Sequence, residues 1–85
     1  MAKIEELEKM VNSINSLTES PMTQYVKDGK SYIPQPGNYH LDFANGGVSL
    51  HRMAEGGGVI DVSNRRCTKK ELKIFLSGFL SALRR

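Results

Sequence analysis

Tyr39-His40-Leu41-Asp42-Phe43-Ala44-Asn45-Gly46-Gly47-Val48-Ser49-Leu50-His51 alternates apolar with polar residues on both sides of a glycine-containing break. Successive side chains of a strand point to opposite faces, so Tyr39, Leu41 and Phe43 share one face and His40 and Asp42 the other. Beyond the break, Val48 and Leu50 alternate with Ser49 and His51 in the same way. The pattern predicts an antiparallel pair with one apolar face for a core and one mostly polar face. Gly56-Gly57-Gly58 supplies the next turn, and Val59-Ile60-Asp61-Val62 reads as a third strand. Strands are expected at 39–44, 48–53 and 59–63.

Working toward the C-terminus, Thr68 and Glu71 have the spacing of a capping box, in which two side chains satisfy two backbone N–H groups at a helix start. Leu72, Phe75, Leu76, Phe79, Leu80 and Leu83 mark one broad apolar face of a helix over 69–84, and Ile74, Gly78 and Ala82 widen it at steps of four. A helix apolar over so much of its circumference is expected to be buried on more than one side. The sheet would cover one side, and a second helix could approach closely over Gly78 and Ala82. That helix would be residues 2–17 or belong to a second copy of the chain.

Toward the N-terminus, Ile4, Leu7, Val11 and Ile14 recur at helical spacing, flanked by Met10 and Leu17, and predict an amphipathic helix over 2–17. Ser20-Pro21 closes it, because the residue before proline avoids helical geometry. Thr23–Val26 and Ser31–Ile33 are β-prone and separated by Asp28-Gly29, which predicts a short hairpin over 23–33 lying at the periphery. Pro34-Gln35-Pro36-Gly37-Asn38 then turns the chain into the meander. The whole reads as one α+β domain over 1–85, in the order α, short β-hairpin, β, β, β, α. A small antiparallel sheet carries the N- and C-terminal helices packed on it.

Eighty-five residues lie near the lower limit for folding without a staple, and Cys67 is the only cysteine. A lone cysteine suits a reducing compartment, and no apolar run approaches the roughly 20 residues a membrane span requires. A cytoplasmic protein without membrane contact is therefore expected, with self-association to a homo-oligomer as a route to completing a small core.

The net charge of +3 is unevenly divided. Residues 1–63 carry five basic and eight acidic side chains, whereas residues 64–85 carry seven basic and one acidic. Arg65, Arg66, Lys69, Lys70 and Lys73 gather at the start of the last helix, where free backbone donors also favour anions. They form the candidate nucleic-acid or anion site. No Phe, Tyr or Trp interleaves with these charges, so base stacking is not indicated.

Three further features bear on chemistry. By strand parity His40, Asp42, Ser49 and His51 share a face, a polar set able in principle to bind a partner, hold a metal or move protons. A half-solvated sheet face carries such residues routinely, and neither a metal site nor a catalytic set is assigned. Cys67, before the helix cap and flanked by cations, sits where a thiolate is favoured, but no partner residue completes a nucleophile. The triple glycine leads into a strand rather than a helix, unlike a phosphate-binding loop. No cofactor is expected, and a non-enzymatic binding protein is the leading expectation, with nucleic-acid binding as the alternative.

The order of elements resembles a double-stranded RNA-binding domain, and Lys69-Lys70-Glu71-Leu72-Lys73 is similar to the lysine cluster with which that family grips phosphates. The chain departs from the family in Leu72, in the bulky Phe75, Leu76 and Phe79, and in the added Asp28-Gly29 hairpin. Residues 39–83 also resemble small uncharacterised proteins of bacteriophages and mobile elements, through Tyr39-His40-Leu41-Asp42, Gly46-Gly47, Gly57-Gly58-Val59 and Thr68 through Phe79. That resemblance implies an accessory protein acting by binding.

Overall fold

Thr68 opens the C-terminal helix as the capping box requires: its hydroxyl accepts the Glu71 N–H at 3.1 Å, and the Glu71 carboxylate accepts the Thr68 N–H at 2.9 Å. Caps of this kind contribute about 1 kcal/mol. In the computed structural model, which describes residues 3–85, this helix, α2, runs Lys69–Leu83. The N-terminal helix, α1, runs Ile4–Leu17, and the expected start at Ala2 lies outside the described residues.

Between them come β1 (Tyr25–Asp28), β2 (Ser31–Pro34), β3 (Tyr39–Ala44), β4 (Gly47–Met53), a 3-10 turn at Glu55–Gly57, and β5 (Val59–Asp61). The strands form two antiparallel sheets, β1-β2 and β3-β4-β5. This is the expected α+β architecture with a helix at each end. Strand limits differ from expectation by a residue or two at β1, β2, β4 and β5, the ordinary uncertainty of element ends. β1 runs two residues later than Thr23–Val26, so Asp28 lies in the strand rather than in the turn.

The two tight turns explain their own sequences. Asn45 and Gly46 both have positive φ, 51° and 75°, as a type I′ loop between paired Ala44 and Gly47 demands. In the first hairpin Asp28 pairs with Ser31, so Gly29-Lys30 forms the loop. Only Gly29 there has positive φ, 64°, the φ pattern of a type II′ turn.

The core lies between the helices and one face of the three-stranded sheet. Leu7, Val11 and Ile14 from α1 meet Leu72, Leu76 and Leu80 from α2 over Val48, Leu50 and Cys67. Each fully buried aliphatic side chain here contributes roughly 1.5–3 kcal/mol. Tyr39 and Phe79 close one end edge-to-face at 5.6 Å.

Three expectations need correction. Ile4 and Leu17 are exposed, and the position that joins Leu7, Val11 and Ile14 on the buried face of α1 is Asn15. Second, α2 meets both the sheet and α1 as expected, but α1 does not approach over Gly78 and Ala82: Ile74 is 67% exposed, and a Cβ added at Gly78 meets nothing within 4 Å. Helix α1 docks on the Leu72, Leu76 and Leu80 side, where larger side chains offer more apolar area than glycine and alanine. Third, the polar face of the sheet is partly closed, since Ser49 and Met53 are buried.

The peripheral hairpin β1-β2 is exposed along almost its whole length. Its base is pinned by the Asn38 side-chain amide donating to the Pro21 carbonyl at 2.8 Å, and by Gln35 N–H donating to the Gln24 carbonyl at 2.8 Å.

Candidate functional site

The polar face of β3 and β4 assembles as parity predicts. His40 pairs with His51 and Asp42 with Ser49, which sets the two imidazoles edge-to-face with centroids 5.8 Å apart. His40 Nδ1 lies 3.1 Å from Asn38 Oδ1, and His51 Nε2 lies 3.5 Å from Ser49 Oγ. Burial, and secondly the neighbouring His51, hold His40 below the ordinary imidazole pKa, against the opposing pull of Asp42 and Asn38.

Arg66 changes the character of this face. Beyond β5 the chain bulges away and returns to the β4 edge, where Cys67 and Val48 exchange both backbone hydrogen bonds at 2.7 and 2.8 Å. Arg66 thereby reaches across β4, donating to the Asp42 carbonyl at 3.0 Å and its carboxylate at 2.8 Å. The same guanidinium holds the Asp42 carboxyl below its usual pKa. An Asp committed to an arginine is poorly placed to act as a base or a metal ligand, and no group of three or more His, Cys, Asp or Glu among the described residues has metal-binding geometry. Cys67 is a buried member of the core.

The basic cluster divides in two. Arg65 pairs with Glu71 at 3.0 Å, Arg66 with Asp42 at 2.8 Å, and Lys73 with Glu6 of α1 at 3.2 Å. Glu71 is held below its ordinary pKa first by the Thr68 backbone N–H and then by Arg65. Lys69 and Lys70 have no carboxylate within ion-pairing distance among the described residues. Exposed pairs of this kind contribute at most about 1 kcal/mol, so their main effect is to neutralise three of the five cations.

Those two lysines border a groove. One section, about 900 Å³, runs along α2 past Lys69, Lys70, Lys73, Ile74 and Ser77 to Gly46 of the β3–β4 turn. It continues into a section of about 390 Å³ that shares Gly46 and Lys69 and adds Ile4, Phe43 and Val48. Phe43 is half exposed there. No Asp or Glu lines either section. Sequence reading singled out the lysines but not Phe43 or Ile4 as their neighbours, because only packing brings the turn and the α1 start beside α2. The exposure of Ile74 carried a local signal, the excess width of the apolar face of α2.

No helix among the described residues is long and apolar enough to cross a membrane. Comparison with protein-family models, curated proteins and solved structures finds no match to this chain.

Proposed function

We propose that the chain is a small non-enzymatic binding protein whose contact surface is the groove between α2 and the β3–β4 turn. The observation that carries this reading is Ile74, two-thirds exposed beside Lys69 and Lys70, which lack carboxylate partners among the described residues. Exposed single apolar residues are ordinary, but Ile74 lines one section of the groove and Phe43 and Ile4 the adjoining section, which shares Gly46 and Lys69 with it, and this is the form of a contact surface. The resemblance of residues 39–83 to small bacteriophage proteins fits an accessory role of this kind.

Self-association through α2 is the variant of this reading that the charges oppose. Parallel pairing of two α2 helices sets Lys70 and Lys73 against their equivalents, and antiparallel pairing sets them near Arg84 and Arg85. Charge therefore favours a different molecule on this face.

A photoreactive residue placed at Ser77 tests the reading, with the same residue at Ser31 in the remote hairpin as control. Adducts specific to Ser77, lost in Ile74→Ser and reproduced with the purified partner, are expected. Equal labelling from both positions would remove the groove from consideration.

The second reading, nucleic-acid binding, is supported by Phe43 and Lys69 lining one section of the groove, an aromatic side chain and a cation within the same concavity. Two free lysines predict a duplex salt slope of about −2, whereas all five basic residues would give about −4.5. Anisotropy titrations across salt, repeated with Phe43→Ala, separate these cases. Absence of binding at low salt retires the second reading.

A further inference from the structure

We propose that the groove on α2 receives an acidic amphipathic helix of a partner protein. This inference rests on the binding reading above and adds the chemistry of the partner.

Three features specify that chemistry. Each section of the groove presents an exposed apolar side chain, Ile74 in one and Phe43 in the adjoining one. The groove's banks carry Lys69 and Lys70, which have no carboxylate partner among the described residues, beside Lys73, which is paired with Glu6, and no Asp or Glu lines either section. The outer face of α2 continues past the groove as Ser77, Gly78, Ser81 and Ala82, all small and all exposed. A Cβ at Gly78 would meet open space, so no described part of the chain covers α2 at that position.

A helix fits these features better than an extended peptide or a nucleic acid. Small residues let two helix axes approach closely, and the run from Ile74 to Ala82 is about 12 Å long, enough for two turns of a docked helix. Apolar residues at steps of three and four on the partner would enter the groove beside Ile74 and Phe43. Its acidic residues would meet Lys69 and Lys70 on one bank. Along the small-residue face the backbone is that of α2 itself, whose N–H and C=O groups are spent within the helix and cannot pair with an extended peptide. A nucleic acid would use the lysines and Phe43 but leave Ile74, Gly78 and Ala82 uncovered.

The test is an amide-resolved NMR titration of the full chain with a synthetic Leu/Glu amphipathic peptide of about 18 residues, long enough to populate helix alone. The parallel arms are the same peptide with Gln in place of Glu, a single-stranded oligonucleotide, and dilution of the chain itself. The expected result is saturable movement of the Phe43, Ile74, Ser77 and Gly78 amides by the Glu peptide. The affinity should fall about tenfold or more in Lys69→Glu/Lys70→Glu, and binding should be lost in Ile74→Ser. Amides of Val48 and Leu50 in the variants report whether the fold is intact.

Equal binding of the Gln peptide, or no movement with the Glu peptide, overturns the proposal. If the oligonucleotide or self-dilution instead moves the same amides, the groove remains a binding surface and only the acidic-helix assignment falls. If no arm moves them, both fall.

Discussion

Asn15 stands beside Tyr39 as a neighbouring strand would: its Oδ1 accepts the Tyr39 N–H at 2.8 Å and its Nδ2 donates to the Tyr39 carbonyl at 2.9 Å. The two backbone groups face away from β4, at the free edge of the sheet. One buried side chain on α1 thus satisfies the edge of β3 and ties helix to sheet.

Replacing Asn15 by Ala leaves both Tyr39 groups without their partner. The expected loss is about 2–3 kcal/mol, from two hydrogen bonds and the cavity. Asn15→Asp should also destabilise, since a carboxylate presents no donor to the Tyr39 carbonyl. Urea unfolding measures both, and a change below about 0.5 kcal/mol in Asn15→Ala would contradict the role.

Glu19 ends α1 in the left-handed region, at φ 56°. Its N–H donates to the Ser16 carbonyl at 3.2 Å, and the Ser20 N–H donates to the Asn15 carbonyl at 2.8 Å, the two bonds of a Schellman cap. Glycine adopts this conformation without a Cβ penalty but gains freedom in the unfolded chain. Glu19→Gly should therefore stabilise by about 0.5 kcal/mol, read as a higher thermal midpoint.

Two glycines should respond with opposite sign to alanine. A Cβ at Gly47 would lie 2.6 Å from Arg66 Cγ and 3.1 Å from the Cys67 carbonyl oxygen. Gly47→Ala is expected to cost about 1–3 kcal/mol and to loosen the Arg66–Asp42 pair. Gly78→Ala adds a methyl into open space in a helix interior and should gain up to about 1 kcal/mol. Equal effects at the two sites in denaturant melts would count against the described packing of Arg66 on β4.

His40 predicts the pH dependence near neutrality. Its folded pKa lies below the unfolded value, first through burial and then through His51. The folded protein therefore binds fewer protons than the unfolded chain between those two values. Its contribution to stability is complete above the unfolded pKa, about 6.5, and is lost as pH falls through the folded one. Urea midpoints over roughly pH 5 to 7.5 should decline toward acid, and His40→Gln should flatten that decline. An unchanged slope in the variant would assign the effect elsewhere.

By itself, the sequence determined what neighbours along the chain decide. The capping box at Thr68, the presence of a glycine-containing turn in each hairpin, the helical periods and the strand parity that gathers His40, Asp42, Ser49 and His51 all act within a few residues. Such signals are read from spacing because a helix or strand repeats its geometry at a fixed period. Only the tertiary structure decided that Asn15 is buried, that Arg66 covers the sheet face and engages Asp42, and that Glu6 takes Lys73. The same holds for the groove, where Phe43 and Lys69 come to line one section while Ile74 stays uncovered. These contacts join residues 20 or more positions apart, and they follow from which surfaces bury the most apolar area together. α1 settles on the leucine side of α2 for that reason, and the small-residue face of α2 is left open by the same choice.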